Sequence, residues 1–177
     1  MQMRLWLQQL NEIEAPFCRT WSHPRRAGWA GRPFALVSRL GDGVFWYSLI
    51  AVLPLADGWD GLVAALHMVM TGVAALVLYK SLKGATRRER PCHSLAEVPP
   101  LVAPLDHYSF PSGHTLHAVS FSVVAIHYYP RLAWVVVPFT LLVAVSRVFL
   151  GLHYPSDVAA AAGIGLVLAY AGILFVA

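Results

Sequence analysis

Charge is scarce in this chain. Only 12% of its 177 residues are Asp, Glu, Lys or Arg, about half the share of an ordinary soluble domain, while 58% are hydrophobic. That balance excludes an ordinary soluble domain of this length and reads as one compact polytopic membrane domain over residues 1–177. Cysteine is nearly missing too. Cys18 and Cys92 show no metal-ligand spacing and form no framework, so each reads as an incidental small apolar residue; a disulfide between them requires that both face an oxidising compartment. A long apolar run at the start is also lacking, because Gln8, Gln9, Asn11, Glu12 and Glu14 interrupt the first apolar stretch. No cleavable secretory signal is therefore expected, and the later spans must do the targeting. Internal repeats and low-complexity segments are absent. Acidic residues are outnumbered nine to thirteen, and eleven of the thirteen basic residues are Arg, the side chain suited to forked hydrogen bonding with phosphate or carboxylate oxygens. An anionic partner or lipid headgroup fits that excess, and no nucleic-acid partner is expected.

The apolar pattern divides the chain into helices. Met3, Trp6, Leu7, Leu10 and Ile13 recur at helical spacing opposite Arg4, Gln8, Gln9 and Glu12, which predicts an amphipathic helix over 2–15 lying on the membrane. The stretch RTWSHPRRAGWAGRP then reads as an interfacial linker with Trp21 and Trp29 at headgroup level. Residues 34–56 make a weak first span, since Arg39 and the turn-like Gly41-Asp42-Gly43 leave only Val44 to Ala56 uninterrupted. After the turn DGWDG, residues 62–82 are almost uniformly apolar and cover roughly 30 Å at the helical rise, about one hydrocarbon thickness. Further helices are predicted over 112–129, 131–149 and 156–176, with Pro130-Arg131 as a tight turn and Pro155 in the first turn of the last. The expected fold is all-α, a bundle of about five spans plus the surface helix. Residues 83–110 form the only long polar loop, and a loop of that length in a compact domain has a function.

Counting spans by their ends places three polar clusters on one membrane face. The first is KGATRRERP, with Lys83 and Arg90 flanking six residues. The second is PSGH, 111–114, opening a helix whose first N–H groups and dipole suit an anion. The third is SRVFLGLHYPSD, 146–157, which adds Arg147, His153 and Asp157. Each cluster has an ordinary reading: a basic run beside a membrane is usually a headgroup contact, and Pro and Ser are common helix starters. The third resists such a reading, because an Arg, a His and an Asp within eleven residues of an apolar bundle are costly unless they work. Three fixed cations, a helix N-terminus, two imidazoles and a carboxylate together match the needs of phosphoryl transfer without a supplied metal.

In order and spacing these clusters resemble the three-part signature of the type 2 phosphatidic acid phosphatase (PAP2) family: Lys, six residues, Arg-Pro; Pro-Ser-Gly-His; then Ser-Arg, five residues, His, three residues, Asp. Lys83, Arg90 and Pro91, Pro111 to His114, and Ser146, Arg147, His153 and Asp157 match it without departure, and the resemblance covers roughly residues 60–176. It implies a metal-independent membrane phosphatase, with no cofactor, acting on lipid phosphates or diphosphates such as undecaprenyl diphosphate, phosphatidylglycerophosphate or phosphatidic acid. By position it makes His153 the nucleophile, Asp157 the residue that orients it, and His114 the proton donor to the leaving oxygen. Lys83, Arg90, Arg147, the Ser112 hydroxyl and the Gly113 N–H are implied as the phosphate-binding set. Asp157 tends to raise the pKa of His153 and the three cations to lower it, a competition the sequence leaves open. Asp106, His107 and Tyr108 are secondary candidates for substrate contact. His67 is expected inside the bundle and hydrogen-bonded, His117 one turn below His114, and His127 at an interface.

The same motifs suit a lipid phosphotransferase, and a catalytically dead lipid-binding protein is a further alternative. A vanadium haloperoxidase has a similar anion site, but those enzymes are soluble and the apolar spans argue against one. The resemblance implies a bacterial inner-membrane protein with a periplasmic site. The charge distribution points the other way: in the five-span arrangement Arg4, Arg19, Arg25, Arg26, Arg32, Arg39, Lys80, Arg87 and Arg88 fall on the site's side and only Arg131 opposite. If residues 34–56 do not cross, the first six of these change side.

Overall fold

The structure, a computed structural model, describes residues 2–22 and 27–176, with side chains from 6–22 and 31–176. It is all helical apart from loops, as the apolar periodicity predicts. Helix α1 (Gln2–Trp21) precedes α2 (Ala27–Arg39), which runs through a π-helical segment, Leu40–Val44, into the long α3 (Phe45–Thr86). A one-turn helix α4 (Pro91–Ser94) interrupts the polar loop, and α5 (Gly113–Tyr128), α6 (Ala133–Phe149) and α7 (Pro155–Val176) complete the bundle. Among the described residues three stretches, Gly31–Thr86, Pro130–Phe149 and Pro155–Val176, are long and apolar enough to cross a membrane.

The first of these is two arms. At Asp57 and Gly58 the backbone leaves helical geometry, with Gly58 at φ +53°, and the chain folds back. A Cβ on Gly61 would collide with the Leu53 carbonyl, so the turn needs glycine there. Helix α5 is only sixteen residues long, yet it is the hub, packed against α3, α6 and α7. Trp46, Met68, Phe121, Val124, Val136 and Val143 form the main core around it. Outside, Leu55, Val77, Trp134, Val167 and Phe175 are exposed, the apolar surface a lipid-facing bundle presents.

Three segments differ from the sequence expectation. The surface helix does not stop before Pro16 but continues to Trp21, because Ala15 and Cys18 are buried against the bundle and hold the next turn in place. Much of the expected linker is therefore helix, as α2 begins at Ala27; residues 23–26 and the side chains of Met3, Arg4 and Trp29 lie outside the described residues. Gly41-Asp42-Gly43 does break the helical path, as its composition suggests, but as a kink between α2 and α3 rather than a chain reversal. Gly41 lies against α6, where a Cβ would meet Val143 Cγ2 at 2.7 Å, and Gly43 takes φ +140°, outside helical geometry. Lys83 belongs to the last turn of α3 rather than to the loop, which starts at Arg87, a left-handed cap whose N–H donates to the Lys83 carbonyl at 3.0 Å. The observed α5, α6 and α7 agree with prediction to within two residues at each end, and Pro155 opens α7.

Helix α1 presents two faces. Trp6, Ile13, Phe17 and Trp21 form an exposed apolar stripe, while Leu7, Ala15 and Cys18 are buried with Asn11 and Glu14 on the same side. The first face suits a membrane surface; the second packs on the protein.

Candidate active site

A cavity of about 600 Å³ opens where α3, α5, α6 and the polar loop converge. Lys83, Arg90, Asp106, Gly113, His114, Arg147 and His153 line its polar end, and Trp46, Ile50, Val69, Val73 and Phe121 line an apolar end between the arms of α3 and α5. The three sequence clusters, separated by up to 74 positions between Lys83 and Asp157, thus meet in one place.

His153 sits in the turn between α6 and α7, where its backbone N–H donates to the Arg147 carbonyl at 3.1 Å. Its side chain is 1% exposed. Arg90 Nη1 lies 3.0 Å from His153 Nε2, and a guanidinium only donates. Nε2 therefore presents its lone pair to Arg90, and the ring proton rests on Nδ1. That nitrogen faces Asp157 Oδ2 at 3.5 Å, beyond ordinary hydrogen-bond length, and has no hydrogen-bond partner among the described residues. Burial first, then the charges of Arg90, Arg147 and Lys83, push the His153 pKa well below the ordinary histidine value. The competition left open by the sequence is won by desolvation and cations, so the free protein holds a neutral imidazole with Nε2 unprotonated.

The three cations are buried. Arg90 Nη1 also donates to the Leu152 carbonyl at 2.7 Å, and Nε donates to the Asp106 carbonyl at 2.8 Å. Lys83 Nζ donates to the Asp106 carboxylate at 2.7 and 2.8 Å and to the Tyr108 carbonyl at 2.9 Å. Arg147 donates to the Ser38 hydroxyl, while its Nε is buried with no partner among the described residues. A buried, unpaired guanidinium N–H beside a cavity is what a site for anionic oxygens leaves when read without its anion.

Two positions of the PSGH cluster act differently. His114 reaches the cavity and its Nε2 lies 3.2 Å from Asp42 Oδ1. Ser112 is fully buried, is not on the cavity wall, and turns its hydroxyl into the helix, 3.0 Å from Thr115 Oγ1 and 3.5 Å from the Thr115 N–H it accepts. Its visible work is to cap α5 and so aim the first-turn N–H of Gly113. Ser112 N–H also donates to the Asp157 carbonyl at 3.2 Å, which ties the start of α5 to the start of α7.

The chain matches the PAP2 superfamily over residues 61–177, two thirds of its length and all three clusters. The chain belongs to this superfamily. Among PAP2 relatives it is 28% identical over 162 residues to phosphatidylglycerophosphatase B of Bacillus subtilis, covering 81% of this chain and 73% of the relative. It is 30% identical over 107 residues to undecaprenyl-diphosphatase BcrC of Bacillus subtilis, covering 59% and 54%. The chain spans about half the length of that relative and of a bacitracin transport permease protein BcrC from Bacillus licheniformis. The crystal structure of a transmembrane PAP2 phosphatidylglycerolphosphate phosphatase from Bacillus subtilis superposes with TM-score 0.67 at 26% identity, over 95% of this chain and 85% of that one. LpxE of Aquifex aeolicus shares the fold, with TM-score 0.75 at 24% identity over 93% and 94%.

Three side chains around the PAP2 signature went unassigned or nearly so in the sequence. Asp42 reaches His114 from a segment that reads as a turn. Asp106 holds both Lys83 and Arg90; burial pushes its carboxyl up, but those two charges outweigh burial and keep it below the ordinary carboxylate range. Arg88, which reads as one more headgroup charge, is buried and pairs with Asp157 Oδ1 at 2.6 Å. His107 stays at the loop surface, stacked on His93 at 5.0 Å. His67 is inside the bundle and hydrogen-bonded as expected, with Nδ1 3.1 Å from Tyr128 Oη; His117 lies between the Gly113 and Gly72 carbonyls, and His127 is exposed.

Proposed function

We propose that this chain is a membrane phosphatase that hydrolyses a lipid phosphomonoester or diphosphate through a phosphohistidine on His153. The observation that carries the reading is the single cavity in which an unprotonated imidazole nitrogen, three fixed cations and a second histidine share one wall, while the other end is apolar. The substrate phosphate lies among Arg90, Arg147, Lys83 and the Gly113 N–H, and its acyl or prenyl chain follows the apolar end between the arms of α3. His153 Nε2 forms the N–P bond as the bond from phosphorus to the lipid oxygen breaks, and His114 gives that oxygen its proton. Asp157 keeps the remaining proton on Nδ1 and offsets the charge that develops on the ring. Water then attacks phosphorus, His114 takes a proton from it, and the N–P bond breaks to release inorganic phosphate. The cations neutralise charge on the non-bridging oxygens in both steps. Asp42 orients His114, and Ser112 serves by capping α5.

Undecaprenyl diphosphate, phosphatidylglycerophosphate and phosphatidic acid are the substrate classes proposed, the first two because relatives carry those names. Hydrolysis is favoured over transfer to a second lipid for the same reason. We place the site on the periplasmic face of a bacterial inner membrane. One of the basic residues that argued otherwise, Arg88, is buried and paired with Glu14 and Asp157, so it belongs to the site rather than to the charge flanking the spans.

The test is phosphate release by the purified chain from a panel of these three lipids in excess chelator, with no lipid acceptor present. Release from at least one is expected; strict dependence on added metal, or no release without an acceptor, contradicts the reading. A pH profile adds a second expectation. Because the free-protein pKa of His153 is lowered, the acid limb of kcat/KM, which reports the free enzyme, falls below the ordinary histidine value of about 6.5. Protonation of His153 blocks attack, so activity is lost only as pH drops through that lower value. Half-loss of kcat/KM at or above the ordinary value contradicts the assignment.

A further inference from the structure

Helix α1 reaches the catalytic pair through Arg88, which two of its side chains, Glu14 and Asn11, hold. Glu14 Oε2 accepts from Arg88 Nη2 at 2.9 Å and from the Ser156 hydroxyl at 2.6 Å, and Glu14 Oε1 accepts the Ser156 N–H at 2.7 Å. Arg88 is enclosed: Nε donates to Asn11 Oδ1 at 2.8 Å, Nη1 to Ser156 Oγ at 2.7 Å and to Asp157 Oδ1 at 2.6 Å, and the guanidinium lies 4.2 Å from the Tyr154 ring centre. The Arg88 and Asp157 side chains are 1% and 0% exposed, and Glu14 only 13%.

The distances set up a competition for Asp157. Arg88 stands 2.6 Å from Oδ1 whereas His153 Nδ1 stands 3.5 Å from Oδ2. With Arg88 alone, the buried pair is neutral and little negative charge is left to hold the Nδ1 proton. A second carboxylate on the far side of the guanidinium restores one net negative charge to the group facing His153. Burying a carboxylate here is costly, and the polar face of a surface helix has water available, so packing α1 does not by itself require Glu14 to point inward. We infer that Glu14 is a positioning residue for hydrolysis: it takes up the charge of Arg88 and leaves Asp157 able to orient His153, so the N-terminal helix is part of the catalytic apparatus as well as a membrane contact. This rests on the reading of Asp157 as the residue that orients His153.

The experiment is a cycle on the full chain in detergent, using whichever of the three panel lipids the parent hydrolyses fastest, with the unfolding midpoint recorded for each variant. Glu14→Gln lowers kcat about tenfold, the loss of one coupled interaction, with KM within about twofold. In an Asp157→Asn background the same substitution changes kcat by less than about twofold, because the carboxylate it serves is gone. Glu14→Gln combined with Asn11→Asp moves the charge to the other Arg88 partner and brings kcat back to within about threefold of the parent; it also serves as the test if Glu14→Gln alone does not fold. Equal losses in both backgrounds, or no recovery on moving the charge, overturn the inference and leave Glu14 a structural staple. If Asp157→Asn collapses the rate while Glu14→Gln does not, the inference alone fails; if Asp157→Asn itself leaves kcat unchanged, the reading of Asp157 fails first.

Discussion

Replacing His153 with alanine lowers kcat by about 10⁵-fold, the scale seen when a nucleophile is removed from an otherwise intact site. The imidazole stands on the polar wall of the cavity, and its Nε2 lone pair is fixed by Arg90 at 3.0 Å. No neighbour substitutes for it. His114 is held by Asp42 at 3.2 Å, and the remaining polar side chains on that wall are cations or the Asp106 carboxylate that pairs with them. KM changes little, because Lys83, Arg90 and Arg147 still bind the phosphate. Steady-state phosphate release against lipid concentration reads both constants. A variant that retains more than a hundredth of the parent rate moves the nucleophile elsewhere.

Arg90→Lys is the second large effect, about 10³-fold on kcat, because one planar fork performs several tasks at once. Arg90 fixes the His153 tautomer, anchors to the Leu152 carbonyl, and holds both the backbone and the carboxylate of Asp106. An ammonium group keeps the charge but reaches only part of that set, and the imidazole is then free to flip or to change tautomer. The expected pattern separates charge from geometry: kcat collapses while the unfolding midpoint in detergent moves by a few degrees. A loss smaller than about tenfold shows that positive charge suffices at this position.

The residues that bear chemistry were legible in the sequence to the extent that local spacing encodes them. Lys83, Arg90, His114, Arg147, His153 and Asp157 stand at fixed intervals within three short runs, and span counting alone brings those runs to one membrane face. The partners that tune them were not legible, because each acts across a long stretch of chain. Glu14 reads as one polar residue of an amphipathic helix, yet its carboxylate contacts Ser156, 142 positions away. Arg88 sits in a basic run whose ordinary reading is a headgroup contact, and nothing local separates it from Arg87, which caps α3. Asp42 was masked by its glycine neighbours. Gly-Asp-Gly signals a turn in most settings, and here it makes a kink: Gly41 admits the α6 side chain Val143, Gly43 takes the unusual φ, and the bend delivers the Asp42 carboxylate to His114. The helical bundle itself was read well where apolar runs are long and unbroken, as in α6 and α7, and poorly between Pro16 and Arg39, where prolines, arginines and glycines weaken the pattern although tertiary packing holds the helices.

The central claim is a covalent phosphoryl group on His153, and trapping that group tests it most directly. The purified chain is mixed with a panel lipid labelled in its terminal phosphate, quenched in alkali within a single turnover, digested, and analysed by mass spectrometry. The account predicts a phosphate that survives alkali and is lost in acid, attached at Nε2 in the peptide that carries His153, and missing from the His153→Ala chain. Turnover of the labelled lipid with no protein-bound phosphate at any quench time, or with the label on a residue other than His153, contradicts it.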